Sequence, residues 1–166
     1  MSRWLELHNQ IKRRSSELWL TPTQKQVLTQ LEQWLDFPGQ CNLFGGAGVG
    51  KTYLAWILSK NLPAQHIIVP QQLSPTNQSF PNLIIDNAPY AEQAIRNILK
   101  QCDFCAAEKV VIVTRSESAL KMRRIELPPP TLDELREVER RLDKFGFQQT
   151  AVPAGSNFWQ VLNSFD

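Results

Sequence analysis

Glycine is scarce in this chain, at 7 of 166 residues, against an average of about one in fourteen. Four of the seven, Gly45, Gly46, Gly48 and Gly50, crowd into one loop. Turn-rich and low-complexity architectures are therefore excluded, and one place is marked where the backbone must do something unusual. Cysteine is rare too: Cys41, Cys102 and Cys105 are an odd set of 3, unsuited to a disulfide framework. Long apolar runs are missing. Pieces such as 110–113 fall far short of the roughly 18 residues that span a bilayer, so no membrane role is expected. Charge of one sign is missing as well, since 18 Lys and Arg face 16 Asp and Glu for a net +2. That balance is too mild to imply nucleic acid by itself. The first residues carry Arg3, Glu6 and His8 with no apolar h-region, so a reducing, cytoplasmic setting is expected. What the chain does have is 42% hydrophobic residues, enough to bury a core and exclude wholesale disorder. One compact domain is the expected count.

Residues 1–20 read as an amphipathic helical lead-in, with Trp4, Leu7 and Ile11 sharing a face. A better-signalled helix follows: Thr21 as N-cap, Pro22 at the first helical position and Gln24 completing a capping box. Strands and helices then alternate. Strands are expected at 40–44, 66–69, 83–86, 110–113 and 124–127, and helices at 51–61, 91–102 and from 132, where residues 131–134 form a second capping box. Residues 71–81 read as a loop, and 158–162 as one more short helix. The organisation expected is a lead-in over 1–20, a core over 21–146 and a tail over 147–166. Alternation of this kind builds right-handed βαβ units, hence an α/β fold with a parallel sheet covered on both faces.

The glycine loop, Gly45, Gly46, Ala47, Gly48, Val49, Gly50, Lys51 and Thr52, matches G-x-x-x-x-G-K-[ST] between an apolar strand and an amphipathic helix. Its glycines let successive backbone N–H groups converge on one anion, and the following helix adds its N-terminal dipole. Lys51 supplies a charge for the terminal phosphates, and the Thr52 hydroxyl supplies a ligand for Mg²⁺. Tyr53 completes the expected nucleotide-binding set. The alternative, a glycine turn that happens to precede a helix, explains neither Lys51 nor Thr52.

A second acidic motif ends the third strand, Leu83, Ile84, Ile85 and Asp86. There Asp86 would support the metal beside Thr52. Asp86, Asn87 and Thr114 form the expected catalytic group. Asn87 stands where a general base is wanted, and an amide accepts no proton. Glu92 and Glu117 are the alternative bases. Thr114, closing the fourth strand, either senses a γ-phosphate or caps its own backbone. Arg115 faces either the nucleotide or solvent.

In this order, the glycine-loop strand, the Asp-ended strand, residues 110–114 and a short fifth strand resemble the nucleotide-binding core of AAA+ ATPases. Residues 41–54 and 84–87 carry most of the likeness, which is greatest to the bacterial replication initiator and helicase-loader group and covers about 20–145. The resemblance implies a three-layer P-loop NTPase domain with a five-stranded parallel sheet ordered 5-1-4-3-2. It also implies ATP and Mg²⁺ as ligands, a protein partner, and nucleic acid by analogy with the family. The chain departs from the pattern in three places. Asn87 replaces the usual glutamate, the short span between Thr114 and the fifth strand leaves out the helix bearing an arginine finger, and the helical lid is expected to be missing. Leu20, Thr21, Pro22, Thr23 and Gln24 also resemble the adenine-reading glutamine motif of superfamily 1 helicases, although the capping box already accounts for Gln24.

Other candidates have plainer readings. A lone C-x-x-C, Cys102 and Cys105, lacks the second ligand pair that a structural zinc needs, so buried thiols are expected. Arg140 and Arg141 alternate with glutamates, as on a solvated helix face. Lys121, Arg123 and Arg124 lie by the presumed active edge, in reach of a phosphate backbone or of solvent. The leading expectation is an ATP-binding, Mg²⁺-dependent switch with slow hydrolysis, serving a DNA-processing or related machine. The alternative is a non-catalytic interaction subunit that keeps the nucleotide structurally.

Overall fold

In the computed structural model, residues 9–13, 16, 19–62, 64–68, 81–103, 107–144 and 157–158 are described. Residues 9–13 are helical; the rest of the lead-in's apolar face, all but the last residue of the loop expected at 71–81, Cys105 and most of the tail lie outside the described residues. The elements are α1 (Pro22–Trp34), β1 (Gly39–Phe44), α2 (Lys51–Asn61), β2 (Ala64–Ile68), β3 (Asn82–Asp86), α3 (Glu92–Asp103), β4 (Lys109–Thr114), β5 (Arg123–Glu126) and α4 (Leu132–Lys144). Each expected strand is present, shifted by a residue or two at its ends.

One five-stranded sheet runs β2-β3-β4-β1-β5, with every neighbouring pair parallel. This is the expected 5-1-4-3-2 order. Parallel strands alternate their side chains between two covered faces, and the alternation divides the core here. Ile84, Val111 and Val113 join Leu43 and the apolar stripes of α1 (Val27, Leu28, Leu31) and α2 (Leu54, Ile57, Leu58) on one face. Leu83, Ile85, Val110 and Ile112 point the other way, onto Ile95 of α3 and Leu120. Leu135 and Leu142 of α4 bury against Phe158 in a third, smaller cluster. The connection from β4 to β5, residues 115–122, contains no helix, in keeping with the short spacing.

α1 starts as its sequence dictates. Thr21 Oγ1 accepts from the Gln24 N–H at 3.3 Å, and Gln24 Oε1 accepts from the Thr21 N–H at 3.1 Å. α4 repeats the device through Thr131 and Glu134. Glu134 also reaches across to α1: its Oε1 accepts from the Thr23 N–H at 2.8 Å while Oε2 accepts from the Thr131 N–H at 2.9 Å. One buried carboxylate thus caps two helices and joins them. Burial pushes this carboxyl up, but the bonds from Thr131, Thr23 and Thr21 outweigh it and hold it below its ordinary value.

Candidate functional site: a phosphate loop at the carboxyl edge of the sheet

In a doubly covered parallel sheet, ligands bind beyond the carboxyl ends of the strands. β1, β3 and β4 all end there, at Phe44, Asp86 and Thr114. β1 leads into the glycine loop and α2 leaves it. The loop is pinned from three sides. The Leu127 N–H donates to Phe44 O at 2.8 Å, which brings the Leu127 carbonyl so close to Gly45 that a Cβ there would overlap it. Gln24 Nε2, already part of the α1 cap, donates to Val49 O at 3.4 Å. The Phe158 N–H donates to Gly48 O at 3.0 Å. Val49 is buried in the core and anchors the loop from beneath, while Gly46 and Ala47 are exposed at its tip.

Gly50 forms the N-cap of α2 at φ 97 with no side-chain cap. An L side chain is strained in that conformation, and a Cβ would run into the Gln24 amide. The first-turn N–H groups of α2 have no intrahelical acceptor, and the first turn carries no acidic residue to compete for an anion. Lys51 folds back over the loop, donating from Nζ to Gly45 O at 2.7 Å and Gly46 O at 2.6 Å. Burial holds its ammonium below the usual lysine range; the Asp86 carboxylate opposes that shift and the Arg115 guanidinium adds to it. Asp86 and Arg115 therefore both lie within electrostatic reach of Lys51. The pairing of Phe44 with Thr114 explains how Arg115, the next residue, comes to lie beside the start of the loop.

Asp86 is buried at the end of β3, where Oδ1 accepts from the Asn87 N–H at 2.8 Å. Asn87 takes a left-handed backbone, φ 57, which asparagine tolerates better than most residues. This turn latches onto β4 through the Ala88 N–H donating to Val113 O at 2.9 Å. The Asn87 side chain is exposed. Thr52 is half-buried in the first turn of α2. With Asp86 it offers hydroxyl and carboxylate oxygens, the hard donors that Mg²⁺ prefers.

Thr114 is buried, and its hydroxyl accepts from Asn42 Nδ2 at 2.8 Å and donates to Ser116 O at 2.6 Å. Of the two expected readings, the structure shows the local one: the hydroxyl bonds nearby backbone, at the carboxyl edge of the sheet. Tyr53 points elsewhere. Its hydroxyl donates to Ser16 O at 3.2 Å and accepts from the Ser16 N–H at 3.3 Å. Of the alternative bases, Glu92 pairs with Arg96 at 2.6 Å on the surface of α3, and Glu117 pairs with Arg124. Arg140 and Arg141 both pair with Glu137, as their spacing predicts.

Gln24, Asn42 and Phe158 touch the site or its supports beyond the capping role read for Gln24. Asn42 had a sequence signal, a polar residue inside the otherwise apolar 41–44 strand. Phe158 had none.

No protein-family model matches the chain, and no curated protein sequence does. Solved structures do. Domain III of the Thermotoga maritima replication initiation protein DnaA superposes with a TM-score of 0.63 at 13% identity, covering 87% of this chain and 82% of that one. The Thermotoga maritima RuvB Holliday junction branch migration motor gives 0.63 at 15% identity over 92% of this chain and 63% of its own. AMPPCP-bound DnaA from Aquifex aeolicus gives 0.54 at 10% identity, over 84% of this chain and 57% of its own. At these identities the likeness concerns the fold alone. The chain thus shares the fold of domain III of the replication initiation protein and of the branch migration motor.

Proposed function

We propose that this chain binds ATP with Mg²⁺ at residues 45–53 and serves as a nucleotide switch with slow hydrolysis. The observation that carries the reading is the phosphate loop itself, in which Lys51 is held over Gly45 and Gly46 within electrostatic reach of Asp86. In this reading the loop N–H groups and Lys51 hold the phosphates, and Thr52 and Asp86 hold the metal, which would screen charge at the terminal phosphate. Arg115 adds a cation at the same end. Asn87 orients water without accepting its proton.

A DNA-processing role rests on the fold neighbours, a replication initiation protein and a branch migration motor, and on nothing in the site. Partners are a protein of that machine and, by the same analogy, nucleic acid. A non-catalytic reading is favoured by one observation: both alternative bases, Glu92 and Glu117, are committed to arginines.

Two measurements test this. Mg²⁺-ATP at about 100 times its Kd should stabilise by about 2.7 kcal/mol, raising Tm by roughly 5–11 °C for a domain of this size. No shift refutes nucleotide binding. Phosphate release, with and without DNA, then separates a slow ATPase from a nucleotide-holding subunit.

A further inference from the structure

Beneath the phosphate loop lies a polar network that nucleotide binding alone does not require. Asn42 is fully buried on β1, three positions before Gly45, in the middle of an apolar face. Its side chain makes three hydrogen bonds. Nδ2 donates to Ile112 O at 3.0 Å and to Thr114 Oγ1 at 2.8 Å, and Oδ1 accepts from the Ser118 N–H at 2.9 Å. The orientation of the amide is unambiguous, because a backbone N–H and a carbonyl flank its two ends and only this placement satisfies both. Ser118, buried as well, holds the next turn through the Leu120 N–H donating to its Oγ at 3.1 Å.

The consequence falls on Thr114. A hydroxyl has one proton and two lone pairs. With one lone pair taken by the Asn42 amide, the proton must point away from the strand, and it goes to Ser116 O at 2.6 Å. Thr114 is thus fixed as a donor toward the carboxyl edge. An anion, which only accepts, requires that polarity. A phosphate oxygen arriving at this edge competes with the Ser116 carbonyl for the one proton. Releasing Ser116 loosens the 115–118 segment, which carries Arg115 and Glu117 and is tied at its far end to the same Asn42.

We propose that Asn42 is a positioning residue that presents the Thr114 hydroxyl as a donor to the γ-phosphate and couples its occupancy to the 115–118 segment. This rests on the ATP-binding reading above. Asn42 touches no substrate; it acts through Thr114. A buried asparagine that merely completes the fold would lower stability on mutation and leave nucleotide discrimination alone.

The test is equilibrium binding of Mg²⁺-ATP and Mg²⁺-ADP to wild type, Asn42→Ala and Thr114→Val, with urea unfolding alongside. The ATP-over-ADP preference should fall about tenfold in each variant, the size of one lost bond to a charged group, and the double variant should lose no more than either single one. In the wild-type protein, which needs no variant to fold, the Asn42 side-chain amide resonances should move with a nonhydrolysable ATP analogue and stay in place with ADP. A preference unchanged within twofold in a folded Asn42→Ala, or amide resonances that answer both nucleotides alike, overturns the proposal while leaving ATP binding intact. If wild type binds neither nucleotide, the ATP-binding reading fails and takes the proposal with it.

Discussion

Glu134 joins two helices through one carboxylate, and replacing it by alanine has a cost that can be worked out. The side chain is 6% exposed and accepts from the Thr23 and Thr131 N–H groups at 2.8 and 2.9 Å. Bonds to a charged acceptor contribute about 1.5–3 kcal/mol each. Taking the lower figure for both, Glu134→Ala loses about 3 kcal/mol, or roughly 6–12 °C of Tm for a domain of this size. Glu134→Gln keeps a single acceptor oxygen and should lose about half as much. The pH dependence fixes the sign. The folded carboxyl lies below its ordinary value of 4.5, so its contribution is present above about 4.5 and is lost as pH falls through the folded value. The gap between wild type and Glu134→Ala should therefore be full at neutral pH and narrow in acid. Urea unfolding followed by circular dichroism at several pH values measures it. A loss under about 1 kcal/mol at neutral pH, or a gap that does not narrow in acid, refutes the double-cap account.

Three further outcomes follow from local geometry. Gly45→Ala should destabilise by about 2–4 kcal/mol, since its Cβ meets the backbone carbonyl of Leu127, whereas Gly46→Ala, with its nearest neighbour a Val49 methyl at 3.8 Å, should stay within about 0.5–1 kcal/mol of wild type; equal losses in thermal melts would contradict this. Cys41 is fully buried and its thiol is pushed up to about 12, chiefly by burial, so iodoacetamide at mildly alkaline pH should leave the Cys41 peptide unlabelled in native protein and label it in urea, as read by mass spectrometry. Arg115→Ala should weaken triphosphate binding about 3- to 10-fold, the scale of one exposed charge near a phosphate, with a shallower salt dependence in a titration; unchanged affinity would place Arg115 outside the site.

The strand order came only from the family resemblance, since spatial neighbours are not written in local pattern. The glycine loop and the Asp-ended strand were legible because each follows from local chemistry, a turn only glycine makes and a carboxylate at a strand end. The capping boxes at Thr21 and Thr131 were legible for the same reason, their partners lying three residues away. What pins the loop was not. Gln24 reads as a cap, yet its amide also holds Val49 O, 25 positions on. Asn42 finds Ile112, Thr114 and Ser118 70 to 76 positions away, contacts that only the β1–β4 pairing creates. Tyr53 directly follows the motif, but its ring follows helical geometry, out of the loop and onto Ser16. Side-chain direction on a helix is set by position around the axis, not by proximity along the chain.

The central claim is that residues 45–52 hold the phosphates of ATP through Lys51. Titrating fluorescent ATP with Mg²⁺ into wild type and Lys51→Ala, with circular dichroism confirming that both fold, tests it most directly. Saturable binding by wild type, weakened at least about tenfold in the variant, about 1.4 kcal/mol, is the result predicted. No binding by wild type, or equal binding by both proteins, would contradict it.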